Sequence, residues 1–220
     1  MKILNSLFSF LLASGLSVPQ ATAFTQVSLD FESFPTASAP QGFSTALTGQ
    51  GKPGNWRIQE DPTAPRGPKV LAQTDADPTD YRFPLCIFDG VKSKDVDVAV
   101  KFRPVSGKVD QAGGLVARYR DKDNYYVVRA NALENNVRLY KVVAGSRRMF
   151  AGKSETVASN RWHELRLEVR KTHFKVYFDG KLLFEADDDT FQDTGKVGLW
   201  TKADSVTYFD DFQIMSYDAK

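Results

Sequence analysis

Apolar residues recur at every second position along most of the chain. Val96, Val98, Val100 and Phe102 alternate with Asp95, Asp97, Ala99 and Lys101, the period of a strand with one face in a core and the other in water. Similar stretches follow at 115–119, 125–131 and 137–143, joined by Asp121-Lys122-Asp123-Asn124, Glu134-Asn135-Asn136 and Ala144-Gly145-Ser146. From Trp162 onward, Trp162, Glu164, Arg166 and Glu168 fall on one side, with His163, Leu165, Leu167 and Val169 on the other. Segments 175–178 and 181–184 flank Asp179-Gly180, and an Asp-Gly pair supplies the positive φ values that a two-residue hairpin turn needs. Segments 197–201 and 206–216 close the series.

No stretch holds a helical period, and the spacing predicts about a dozen strands in an all-β fold. The economical way to bury that many alternating faces is a two-sheet antiparallel β-sandwich. No internal repeat supports a propeller or solenoid, and the immunoglobulin pattern of paired cysteines is absent.

The first part of the chain reads differently. Residues 1–23 carry Lys2, an apolar run, Pro19 and then Ala21-Thr22-Ala23 before Phe24, the pattern of a secretory signal peptide. The run is short and interrupted by Asn5, Ser6, Ser9 and Ser14, which disfavours a membrane span, and no later stretch is apolar enough for one. The expectation is an exported protein, secreted or periplasmic, with residues 24–220 as one sandwich domain. A short first strand is expected within 27–31. Residues 35–68, rich in proline and glycine, read as loops with a short strand at 56–58.

Composition narrows the function classes. Of 220 residues 42% are hydrophobic, enough for a core. Lys and Arg number 29 against 27 Asp and Glu, without the basic excess of a nucleic-acid binder. The single cysteine, Cys86, excludes an intramolecular disulfide and a Cys-rich zinc site. Within Leu85-Cys86-Ile87-Phe88 it reads as a small buried hydrophobe. The two histidines argue against a multi-histidine metal centre: His163 is expected to face inward, and His173 to lie solvated in a turn.

Gly113-Gly114-Leu115-Val116-Ala117-Arg118-Tyr119 with Asp121, Asn124, Tyr125 and Tyr126, then Trp162-His163, Val176-Tyr177-Phe178-Asp179-Gly180-Lys181, Gly195-Lys196-Val197-Gly198-Leu199-Trp200 and Phe209-Asp210-Asp211-Phe212, together resemble a concanavalin A-like, laminin G-like jelly roll. Among such families the chain is most similar to the bacterial secreted 3-keto-disaccharide hydrolase domains, related in fold to family 16 glycoside hydrolases. The resemblance covers residues 95–216. It implies a jelly roll and a saccharide ligand; it does not fix an activity, since fold does not fix function. The family 16 strand motif of two glutamates flanking an aspartate is missing. Retaining hydrolysis needs two carboxyl groups about 5–5.5 Å apart, and Glu164 and Glu168, with Arg166 between them, read instead as an outer charged strand face.

If the strands are neighbours, alternation gathers Arg118, Tyr125, Arg129, Asn131, Arg138, Tyr140, Trp200 and Lys202 on one concave face. Flat rings stack on sugar faces, and Arg can grip a carboxylate through two N–H groups, so the partner expected is a saccharide or polysaccharide, acidic sugars included. Glu134, Asn135 and Asn136 occupy a turn beside that face. Replacing Arg129 or Trp200 by Ala is expected to abolish binding while moving the thermal midpoint little. Glu32 and Asp211 are candidate ligands of a structural calcium, by the resemblance to jelly rolls that carry one. Asp187-Asp188-Asp189 reads as a turn cap. The alternatives are a glycoside-cleaving enzyme of the 3-keto-disaccharide type, working by elimination with Tyr125 or Tyr140 and Arg129 or Lys202 as base and charge-stabilising donor, and a laminin G-like adhesion module. The chain is expected to act as a monomer.

Overall fold

The computed structural model describes residues 24–217; segment 1–23, where a signal peptide is expected, lies outside them. The described residues form fifteen strands and no helix, and so contain no helix able to cross a membrane. The strands are β1 (Thr25–Leu29), β2 (Phe43–Gly49), β3 (Trp56–Glu60), β4 (Lys69–Gln73), β5 (Arg82–Ser93), β6 (Val96–Ser106), β7 (Ala112–Asp121), β8 (Asn124–Asn131), β9 (Asn136–Val143), β10 (Ser146–Ser154), β11 (His163–Arg170), β12 (His173–Phe178), β13 (Lys181–Asp187), β14 (Gly195–Trp200) and β15 (Val206–Ser216). They make two antiparallel sheets. One runs β13-β12-β11-β6-β15-β4-β3 with β1 added to β15, and the other runs β10-β9-β8-β7-β14-β5-β2. This is the expected sandwich.

Alternation explains which side of each strand is inside. On β6, Val96, Val98, Val100 and Phe102 are buried, as are His163, Leu165, Leu167 and Val169 on β11. They pack against Leu115, Ala117, Tyr126, Val128, Val137 and Leu139 of the second sheet. Each such aliphatic or aromatic side chain contributes about 1.5–3 kcal/mol by leaving water. Cys86 is a free, buried thiol in this core, and burial pushes its pKa up. His163 faces inward with both ring nitrogens engaged, by Asp179 and by the Ala158 carbonyl. Asp179 and Gly180 have φ of 46° and 78°, the hairpin turn that Asp-Gly predicts.

The structure adds strands that the residue pattern hid. β2 lies inside the expected loop region, and β5 runs through Pro84 and Gly90. The edge strand β10, Ser146-Arg-Arg-Met-Phe-Ala-Gly-Lys-Ser154, is half exposed and shows no clean alternation. His173 is also not simply solvated: its ring bridges Asp187 and Glu185, and those bonds raise its pKa.

Candidate functional site

The outer face of the seven-stranded sheet carries a second apolar cluster, separate from the inter-sheet core: Phe83, Leu85, Ile87, Val116, Tyr125, Val127, Tyr140, Val142 and Trp200. Contacts across it show that the face is concave. Arg147 of β10 lies over the rings of Phe83 on β5 and Trp200 on β14, at 4.5 and 5.6 Å from their centres. In a flat sheet the strands between β10 and β5 would hold them roughly 24 Å apart at ~4.8 Å per strand, beyond the reach of an arginine. The Tyr81 hydroxyl, just before β5, donates to the Gly145 carbonyl at 2.8 Å and accepts the Arg147 N–H at 3.0 Å, and so ties the two sides of the trough together. Gly114 makes the curl dense: a Cβ there would sit 3.2 Å from Arg129 and 3.3 Å from Trp200 side-chain atoms.

The polar lining centres on Arg129, which is 2% exposed. Its guanidinium donates to Asn136 Oδ1, to Glu134 Oε2 at 2.8 Å and to the Tyr140 hydroxyl at 3.1 Å. Burial works against ionised Glu134, yet the bonds from Asn136 and Arg129 hold its pKa down. Arg129 Nε has no protein partner, and neither does Arg147 Nη1. The Trp200 indole N–H has no other partner than the nearby Tyr125 hydroxyl, whose burial-raised pKa it offsets in small part. Arg147 lies over Tyr140 at 4.5 Å, with Arg129 at 5.7 Å from the same ring centre, and burial lowers the Arg147 pKa. A buried donor left unmade costs about 1–3 kcal/mol, so a water or ligand oxygen at these atoms would stabilise the site.

The structure brings Tyr125, Arg129, Arg138, Tyr140 and Trp200 onto this face, with Asn131 and Lys202 along its rim. Their availability differs from the expectation. Tyr125 and Trp200 are fully buried. The Tyr125 hydroxyl is bound by Thr48 at 2.8 Å, and burial pushes its pKa far up, a poor base. Trp200 stacks on Phe83 at 5.4 Å, so its removal must cost stability, contrary to the small thermal effect expected. Asn131 bonds Asp110 and the backbone of the following turn. Lys202 is held by Asp80 at 2.7 Å and Asp110 at 2.8 Å. Arg118 is a correction. A bulge follows Ala117, Arg118 takes φ +48°, and its guanidinium turns to the carbonyls of Lys94, Lys171 and Phe191. Tyr119 takes the place on the trough side, packed on Tyr125 at 6.0 Å. Sequence reasoning missed Arg147, Phe83 and Asp110. Arg147 was legible in principle, because the Ala144-Gly145 turn sets it opposite Val142.

The metal candidates do not fit a calcium. Glu32 Oε1 accepts the Lys69 N–H at 2.8 Å. Asp211 sits in a bulge of β15 and accepts from the Gln213 amide at 2.9 Å. Asp210, beside both, takes the Arg66 N–H at 2.8 Å, and burial raises its pKa to about 6. Among the described residues no group of three or more His, Cys, Asp or Glu side chains is set to hold a metal, and calcium wants six to eight oxygens. In the Asp187–Asp189 cluster, Asp188 does cap a turn, accepting the Thr190 N–H at 2.9 Å. It also takes bonds from the Tyr126 hydroxyl and Lys141, each at 2.6 Å.

Known proteins share this architecture. A carbohydrate-binding module, CBM66, from Bacillus subtilis superposes with a TM-score of 0.61 and 22% identity, covering 81% of this chain and 99% of its own. A protein of unknown function with a galectin-like fold from the same organism gives 0.54 and 12%, over 77% of this chain and 88% of that one. Identities this low speak for the fold. The levanase of Bacillus subtilis (strain 168) is 28% identical over 104 residues, which are 47% of this chain but only 15% of the levanase. The family model of the galactocerebrosidase C-terminal lectin domain matches residues 91–217, from the end of β5 through all of β15 and therefore most of the trough. With more than half its length matched, this chain belongs to the galactocerebrosidase C-terminal lectin domain family.

Proposed function

We propose that the protein is an exported carbohydrate-binding module that holds a saccharide in the trough of the seven-stranded sheet without turning it over. The observation that carries this reading is the pair of buried N–H donors of Arg129 and Arg147 that lack protein partners beside the Tyr140 ring. Sugar hydroxyls complete such donors, and aromatic walls cover the apolar faces of the ring. The lectin family and the likeness to a carbohydrate-binding module point the same way. Two arginines on one wall favour acidic sugars over neutral ones.

The test is titration calorimetry of the protein against levan, other neutral glycans and acidic glycans, with product analysis of each mixture and of 3-keto-glycosides. Saturable binding with unchanged sugars is the expected result. New sugar products would replace this reading with the glycoside-cleaving one that the 3-keto-disaccharide hydrolase resemblance implies. Export is tested by sequencing the N-terminus of the protein recovered outside the cytoplasm, which is expected to begin at Phe24.

A further inference from the structure

The trough does not end at Tyr140. Between β9 and β10 its wall continues into a groove of about 280 Å³, lined by Asn136, Arg138, Met149, Gly152 and Lys153 among others. Register places Arg138 opposite Gly152, and Met149 opposite Tyr140. Gly152 leaves the space that Arg138 fills, since a Cβ there would fall 2.9 Å from Arg138 Cγ. The groove joins the Arg129 cluster through Asn136, which bonds Arg129.

Charge around this groove is not balanced locally. Arg129 is matched by Glu134 at 2.8 Å, and Lys202 by Asp80 and Asp110. Arg138 and Arg147 make no close ion pair with any described carboxylate; Arg138 shares the field of Glu134 with Arg129, which holds that carboxylate directly. Arg138 also sits directly across from Arg129 in the β8–β9 ladder, and like charges directly opposite are destabilising. Arg147 is stacked among three rings with Nη1 unpartnered; the carboxylate that acts on it, Asp110, is at the same time paired with Lys202, so this buried cation is only partly compensated, which is costly. Glu134, partly exposed and committed to Arg129 and Asn136, is the carboxylate that an incoming anion would meet.

From this imbalance, and resting on the saccharide reading above, we infer that the groove at the β9–β10 rim is a subsite for an oxyanion on the sugar, a carboxylate or a sulfate, received by Arg138, with Arg147 in the adjoining trough adding to the positive field. The planar guanidinium fork matches either group. The saccharide is therefore an acidic one, lying across the rim with its neutral face toward Tyr140.

Three oligosaccharides test this on the full chain by calorimetry: an oligogalacturonate, the same oligomer with its carboxyl groups reduced to alcohols, and a sulfated oligosaccharide. Either acidic sugar is expected to bind at least tenfold tighter than the reduced one, and which of the two does so identifies the oxyanion. Arg138→Gln, at a half-exposed position, and Arg147→Gln, in the trough, are each expected to cut that ratio at least fivefold, with Arg147→Lys restoring part of it. Equal affinity for reduced and acidic sugars would overturn the oxyanion assignment and leave the saccharide reading standing. An unchanged ratio in Arg138→Gln would do the same. If none of the three oligosaccharides nor any neutral glycan binds, the saccharide reading itself fails.

Discussion

The two sheets present outer faces of opposite kinds. On the eight-stranded sheet, charged side chains stand in the alternate positions and pair with each other: Lys101 with Glu164 at 2.8 Å, and Arg166 with Asp97 and Glu168. Those bonds raise the Arg166 pKa, led by Asp97, and leave the pairs half exposed. On the seven-stranded sheet, the alternate positions hold aromatic rings and arginines that are buried although they point away from the inter-sheet core. The solvated face satisfies its charges locally. A curled face shields its groups from water before it satisfies them, and that leaves donors for a ligand.

The largest test of this contrast is Trp200→Ala. Trp200 is as buried as any core residue, so its loss is expected to cost about 3–5 kcal/mol, read by denaturant unfolding. A loss within the range of a surface substitution would mean that the trough is not a second core. Arg129→Ala comes next. It is expected to abolish saccharide binding and to cost about 1–3 kcal/mol, because Glu134, Asn136 and Tyr140 lose their shared donor; retained binding would move the site away from this cluster.

The seam between the sheets gives an acid-sensitive term. Burial opposes the charge on Asp188, but bonds from Lys141, Thr190 and Tyr126 bring its pKa to about 2. A depressed carboxylate contributes stability above its unfolded value of 3.8, and that contribution drains away as pH falls through the folded value. Stability is thus expected to drop by about 1–2 kcal/mol between pH 4 and pH 2 on this account, and Asp188→Asn should flatten that part of the profile. The smallest effect is expected on the paired face, where Glu164→Gln should change stability by less than about 1 kcal/mol and leave saccharide affinity untouched. A measurable loss of affinity there would place ligand contacts on the wrong sheet.

Much of the fold was legible. The alternation in β6 and β11 sorted inside from outside residue by residue, and Asp179-Gly180 marked its hairpin, because period and turn chemistry are local. β2 and β10 were not legible. An edge or rim strand has one neighbour and no fully buried face, so its sequence need not alternate. Arg118 was placed wrongly for a related reason: one bulge shifts the phase of every later residue on the strand, and a bulge has no reliable signature in the residues themselves. The face shared by Tyr125, Arg129, Arg138, Tyr140 and Trp200 was read correctly from phase alone, but not which of them a ligand could reach.

Pattern and composition were sufficient for an all-β sandwich without disulfides, for the buried state of Cys86, and for the gathering of rings and arginines on one face, since each follows from the spacing of residue types along single strands. Curvature was decided only in three dimensions. The closing of β5 onto β10 buries Trp200 and Tyr125 and brings Arg147 over Tyr140 and beside the groove that Arg138 lines. The reason is physical: curl arises from the sum of twists, bulges and close glycine contacts over seven strands, and no single strand carries it.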